Sequence, residues 1–524
     1  MRVLPAADDA VLVEVDDLGQ AMALHASLVA EPLRGVVELV PGARTVLLRY
    51  EPAAVTAERL VEFLRARTLG TAEASSGTLV EIPVHYDGDD LAEVAAILGL
   101  SEREVVERHT GTEYRVAFTG FAPGFAYLSG GDPALDVPRR ATPRTRIPAG
   151  SVGLAGTFSG VYPRESPGGW QLIGVTDVPM WDLSRETPAL LQPGDRVRFV
   201  EARGARRGPV RTADATSPAA AEGPTLEVRQ AGIQSLVQDL GRAGHASLGV
   251  SPSGALDRRS LREANRLVGN EAGAAGIEVA HGGLVVVSRG VTEVAVTGAV
   301  GELRLVSAAG ESAVLPRRAI ALEDGEELHI GAPARGVRAY LAVRHGLEAE
   351  VVLGSRSTDT LSGLGPPALA PGTRLSVRRA ARGIRVVDTA QSPERSFPAP
   401  SELVVLDVVL GPRSDWFTHD ALELLQRQEW HVTPRSNRVG LRLDGAQPLE
   451  RTVHGELPSE GTVTGAIQVP ADGQPVLFLA DHPLTGGYPV IGAVASHHLD
   501  LAGQLPAGCR VRFRALGPFH AFAD

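Results

Sequence analysis

The sequence predicts an α+β chain that is mostly β, in which a small mixed unit precedes a series of β-rich lobes. Two observations carry this prediction. The first is punctuation: 59 glycines and 37 prolines in 524 residues cut the chain into short segments, which favours barrels and sandwiches over helical bundles. The second is repetition. Gly168-Gly169-Trp170-Gln171-Leu172-Ile173-Gly174 returns as Gly486-Gly487-Tyr488-Pro489-Val490-Ile491-Gly492. A Pro-Ala pair precedes each copy (Pro148-Ala149 and Pro470-Ala471), and a Gly-x-Arg-Val-Arg-Phe strand follows each (Gly194–Phe199 and Gly508–Phe513). Three matches in one order predict two related β-lobes, with function sought where they meet.

Hydrophobic periodicity places the elements. Strands are expected at Val11–Val15, Val36–Val40 and Thr45–Tyr50, with helices at Leu18–Ala30 and Ala57–Arg67, making residues 1–75 a small α+β unit. A strand at Leu79–Tyr86 and a helix at Asp90–Leu98 open the next domain, 76–201. There Ser101-x-x-Glu104 reads as a capping box for a helix ending near Arg108-His109. Residues 202–224 lack apolar periodicity and read as a linker joining two once-separate polypeptides. Beyond it, 225–390 is a β-rich lobe with a helix at Arg259–Val268 capped by Asp257, and 391–524 is a second barrel-like lobe with a helix at Asp420–Gln428.

Composition excludes several chemistries. All 51 basic residues are arginine, which removes Schiff-base and catalytic lysines, a Walker-type phosphate loop and a biotinylated lysine on this chain. Anion recognition therefore falls to arginine forks and backbone N–H groups. A formal charge of −11 gives no basic footprint for nucleic acid. The acidic residues near the start do not suit a signal peptide, and no run of 18 apolar residues follows, so a cytoplasmic protein away from membranes is expected. Cys509 is the single cysteine. No His-Glu-x-x-His helix or third ligand beside His497-His498 points to a metal site.

The segments that carry chemistry are Thr119–Leu128, Pro138–Arg144 and Tyr162–Trp170 in the first half, where glycines let a ligand approach and Arg140 and Arg144 suit an anion. Turn and core roles in a tight barrel are the competing reading. In the second half Asp239, Arg242, Asp257 and Asn265 are either a paired scaffold or the polar wall of a cleft. Arg438, Gln468, Asp481, Thr485, Gly486, Gly487 and Tyr488 belong to the later motifs and are expected, with the residues above, to bind substrate or ATP. His109 is the histidine expected as acid–base group or ligand, with helix capping as the alternative. Gly168, Gly169 and Trp170 are expected to line a cleft together with Tyr488.

These motifs resemble the allophanate-hydrolase subunit 1 family in the first half and subunit 2 in the second; together they are similar to fused 5-oxoprolinase B and C subunits. The resemblance implies a ferredoxin-like N-terminal unit, duplicated cyclophilin-like barrels, and ATP-dependent opening of 5-oxoproline to glutamate with a separate A subunit. It implies ATP with Mg2+ as co-substrate, with Arg140, Arg144 or Arg438 offsetting phosphate charge. It also implies two alternatives: a biotin-dependent carboxyltransferase acting on urea or a related amide, with the biotin on another protein, or a regulator of a histidine kinase. A homo-oligomer is compatible with any of these. The chain departs from the family pattern at His482-Pro483-Leu484, where arginine and a polar pair are expected, and at Asn437, where aspartate is common.

Overall fold

The computed structural model describes residues 1–67, 77–140, 142, 144–202, 204, 223–379, 393 and 395–522. Most of the expected linker, 202–224, lies outside the described residues, as do parts of 391–400 and residues 141 and 143.

The N-terminal unit is a four-stranded antiparallel sheet ordered Arg2–Ala7, Ala10–Glu14, Thr45–Tyr50, Val36–Pro41. Alternate side chains of a strand face opposite ways, and here both faces are covered. Val11, Val13, Val46 and Leu48 pack beneath the helices Leu18–Ala30 and Ala57–Ala66. Leu4, Leu12 and Leu47 pack with Val463, Phe478 and Val490 of the C-terminal barrel. The first strand, Arg2–Ala7, is an element that periodicity alone does not reveal. It has no polar–apolar alternation because both of its faces are buried, and Pro5 disguises it.

The second domain is a seven-stranded sheet running Gln171–Val175, Ser151–Ala155, Phe158–Val161, Ala126–Ser129, Glu113–Thr119, Arg196–Glu201, Leu79–Val84. Its ends approach each other through a bridge in which His85 and Val175 exchange two backbone bonds of 2.8 Å. The capping box forms: Ser101 accepts from Glu104 N–H and Glu104 accepts from Ser101 N–H, opening the helix Glu102–Gly111.

In the second half, the lobe beginning at Thr225 has two facing sheets of seven and five strands that share one core, rather than one closed barrel. Helix Arg258–Leu267 covers its flank. The last lobe is a closed seven-stranded barrel from Leu403–Leu410 to Arg510–Ala515. In both halves the Arg-Val-Arg-Phe strand pairs in parallel with the first strand of its domain, Arg196–Glu201 with Leu79–Val84 and Arg510–Ala515 with Leu403–Leu410. Among the described residues no helix is long and apolar enough to cross a membrane.

Candidate functional site at the seam of the halves

The loop after strand Glu113–Thr119 is pressed onto the second half. Thr119 Oγ1 donates to Ser247 O at 2.7 Å, Phe121 N–H donates to Thr485 Oγ1 at 3.0 Å, and Gly124 N–H donates to Leu248 O at 3.1 Å. Gly120 has no room for a Cβ against Thr485. Phe121 is held at φ 60°, a left-handed conformation that non-glycine residues rarely adopt. Arg139 reaches across to Ser459 Oγ at 3.3 Å, and its guanidinium lies against Gly487.

Several expected anion-binding residues prove to be occupied. Arg140 and Arg144 both bind Asp90: Arg144 forks onto its two oxygens at 2.7 Å, and Arg140 Nη1 donates at 2.6 Å. Burial raises the Asp90 pKa, but Arg144, the Leu172 N–H and Arg140 outweigh it and hold the group below its usual value. Arg438 is fully buried and forks onto Asp481 at 2.9 and 3.0 Å while donating to Glu278 at 2.5 Å and Gly254 O at 2.6 Å. Burial works against the Asp481 charge, and Arg438 more than offsets it, so its pKa falls. The phosphate-neutralising role expected of Arg140, Arg144 and Arg438 therefore needs correction, because each already faces carboxylate.

His109 is also corrected. It is wholly buried, bonded through Nδ1 to Tyr86 Oη at 2.7 Å and through Nε2 to Ser159 Oγ at 2.9 Å, and stacked on Phe199. Burial drives its pKa down to about 3, leaving a neutral core histidine rather than an acid–base group facing a cleft. Trp170 packs edge-on against Phe125 and Tyr127 in a buried aromatic cluster, whereas Tyr488 is 40% exposed. The cleft-lining role fails for Trp170, whose ring is consumed in packing. Gly168 admits the Tyr162 hydroxyl and Gly169 O accepts from Arg140 N–H. Gly486 leaves space for the Gln468 amide, which donates to Tyr488 O at 3.1 Å.

In the second half the scaffold alternative describes three residues. Asp239 accepts from Ser355, Ser357, Gly241 N–H and Arg356 N–H. Asp257 caps helix Arg258–Leu267 and binds Arg395 and Gln504. Asn265 ties down Ala274 O and Asn270. His482, the departure from the family pattern, is buried and stacks on Phe478, and burial lowers its pKa to about 4.

Arg242 is different. Its Nε and Nη2 donate to the carbonyls of Val352 and Ser357, but Nη1 is buried without a partner. Nearby are three residues not singled out from the sequence: Arg164, whose Nη1 is also unpartnered; Trp181, whose Nε1 is likewise; and Asp359. Arg164 stands inside the Tyr162–Trp170 motif, so its signal was present. Nothing in the sequence ties it to Asp359, almost two hundred residues away. Elsewhere, Asp407, His497 and His498 cluster, but Asp407 is held by Arg514 at 2.6 Å and His498 Nδ1 accepts Asp407 N–H.

Residues 1–191 match the carboxyltransferase domain, subdomains C and D, and residues 248–515 match subdomains A and B. The chain belongs to the carboxyltransferase-domain family. Within it, the chain is a fused form related to the B and C subunits of 5-oxoprolinase and to urea amidolyase. The 5-oxoprolinase B subunit of Escherichia coli O157:H7 is 48% identical over 32% of this chain and 78% of its own length. The C subunit of the E. coli K12 enzyme is 35% identical over 55% of this chain and 90% of its own. Urea amidolyase of Saccharomyces cerevisiae is 31% identical over 56% of this chain but only 17% of its own. The crystal structure of TTHA0988 is similar over 96% of this chain and 99% of its own, with 36% identity and a TM-score of 0.83.

Proposed function

We propose that this chain is the fused B and C component of an ATP-dependent 5-oxoprolinase, binding 5-oxoproline and activating it for ring opening together with a separate A subunit. One observation carries the reading: relatives named 5-oxoprolinase subunits B and C match 32% and 55% of one chain, whose two halves are bonded along the Thr119–Gly124 seam. Amide resonance makes a lactam resist water. Transfer of the ATP γ-phosphoryl group to the lactam oxygen, releasing ADP, creates a leaving group. Water then adds to the ring carbon, and the C–N bond opens to γ-glutamyl phosphate as the nitrogen takes a proton; a second water hydrolyses this acyl phosphate to glutamate and phosphate. Arg140, Arg144 and Arg438 are already paired with carboxylates, and Mg2+ bound with ATP would offset charge at the phosphoryl group. The test is ATP turnover by the chain with and without the A subunit, across 5-oxoproline, urea and allophanate. Turnover stimulated by 5-oxoproline only when both are present is expected; no stimulation overturns the proposal.

The second reading is a carboxyltransferase acting on urea or a related amide, favoured by the domain match itself. Since the chain has no lysine, carboxybiotin would arrive on another protein. Biotin-dependent carboxylation of urea in the presence of a biotinylated carrier would establish it.

A further inference from the structure

Among the described residues, three of the four buried arginines meet carboxylates. Arg413 binds Glu460 and Glu14, Arg438 binds Asp481 and Glu278, and Arg338 lies 3.4 Å from Glu278. The fourth, Arg242, and the half-buried Arg164 form no ion pair among the described residues, and each keeps a buried Nη1 without an acceptor. Arg242 is 2% exposed. A desolvated cation without a contact counter-charge is costly, and such groups are a recurrent mark of a ligand site.

Both guanidiniums lie within the field of Asp359. Arg164, from the first half, stands against Gly363, where even a Cβ would clash with it. Arg242, from the second, donates to Val352 O at 3.3 Å. Trp181 comes from the first half and packs with Val250, Val352 and Leu364 of the second, its indole N–H buried and unpartnered. All three side chains therefore border the segment 352–364. The turn Asp359–Leu364 within it is closed by Asp359, whose Oδ1 accepts the N–H groups of Leu361 and Ser362 at 2.9 Å and whose Oδ2 accepts Ser251 Oγ at 3.1 Å. The Asp359 charge acts on both arginines without a direct bond to either.

We infer that this part of the seam is a binding subsite for the carboxylate of a small organic acid, held by Arg164 and Arg242 with the Trp181 indole N–H as a third donor. Two guanidiniums suit the planar, two-oxygen geometry of a carboxylate. The indole, Val250 and Leu364 supply an apolar wall for the body of the acid. Asp359 selects against a doubly charged phosphate, which it repels more strongly than a monoanion. The identity of the acid as 5-oxoproline rests on the function proposed above; the carboxylate subsite does not.

The experiment is calorimetric titration of the full chain alone, without ATP or A subunit, using acetate, 5-oxoproline, the neutral amide of 5-oxoproline and inorganic phosphate. Both carboxylates are expected to bind, 5-oxoproline more tightly, and the neutral amide and phosphate to bind at least about tenfold more weakly than 5-oxoproline. Arg164→Gln removes one charged donor and is expected to weaken carboxylate binding about 10- to 100-fold. The Nη1 group it removes has no partner within the fold, and an unchanged melting temperature verifies that the variant is folded. Asp359→Asn keeps the turn and is expected to bind carboxylate as well as the parent chain or better. Equal binding of acid and amide, preference for phosphate, or an R164Q variant with undiminished affinity would overturn the inference. Carboxylate binding that persists while the assembled enzyme shows no 5-oxoproline-dependent ATP turnover would refute the proposed function and leave the subsite standing.

Discussion

Asp481 accepts two bonds from Arg438, two from Thr360 and one from Ser253, which uses the full accepting capacity of a carboxylate. Removing its cation is therefore severe. Arg438→Met leaves Asp481 and Glu278 buried without that counter-charge and is expected to cost about 3–5 kcal/mol, measured by urea unfolding. His109 gives a pH prediction of definite sign. Its folded pKa, about 3, lies below the unfolded value of about 6.5. Between those values the unfolded chain binds a proton that the folded chain does not, so this contribution is lost as pH falls through 6.5. At pH 5 the loss is about 2 kcal/mol. Unfolding at pH 7 and pH 5 should show this extra acid sensitivity in the parent chain and its absence in His109→Gln. His482, with a pKa of about 4, adds a second loss of the same sign in both proteins. Equal pH dependence of the two would refute the assignment.

The helix Glu102–Gly111 could be read from local chemistry, because a capping box needs only Ser101 and Glu104, three positions apart. Ser101→Ala should cost about 1 kcal/mol in denaturant unfolding. The helices Arg258–Leu267 and His419–Arg427 differ by one residue at each end from the sequence expectation, for the same local reason. The strand Arg2–Ala7 was not legible, since the partner that buries its second face lies more than four hundred residues away. The Thr119–Gly124 loop stood out in the sequence as a motif, but its contact with Thr485 did not. Gly120→Ala should destabilise the chain by forcing Thr485 aside, and Thr485→Ala should recover part of the loss. A double-mutant cycle is expected to show about 1–2 kcal/mol of coupling; simple additivity would mean that this approach does not join the halves.

Across the whole molecule, the N-terminal unit is clamped to the C-terminal barrel by Arg413–Glu14 at 2.7 Å, Arg2–Asp415 at 3.0 Å and the Val3–Phe522 bridge. Apolar contacts between Leu4, Leu12, Leu47 and Val463, Phe478, Val490 reinforce the clamp. If these contacts and the seam hold the halves together, the covalent join is dispensable. Residues 1–202 and 223–524 produced as separate chains should co-purify as a complex with a melting temperature near that of the fused chain; failure to associate would show that the join is needed.

The sequence by itself determined the mostly-β class, the capped helices, the doubled pattern and the family, because each depends on spacing along the chain or on residue identity. It also determined that any anion here must be met by arginine or backbone N–H groups. Which arginine is free to do so was decided only by tertiary structure. Arg140, Arg144 and Arg438 are neutralised by carboxylates 43 to 160 residues away in sequence, while Arg164 and Arg242 each keep an unpartnered Nη1. Charge is written in the residue, but whether it is already spent depends on what the fold places beside it.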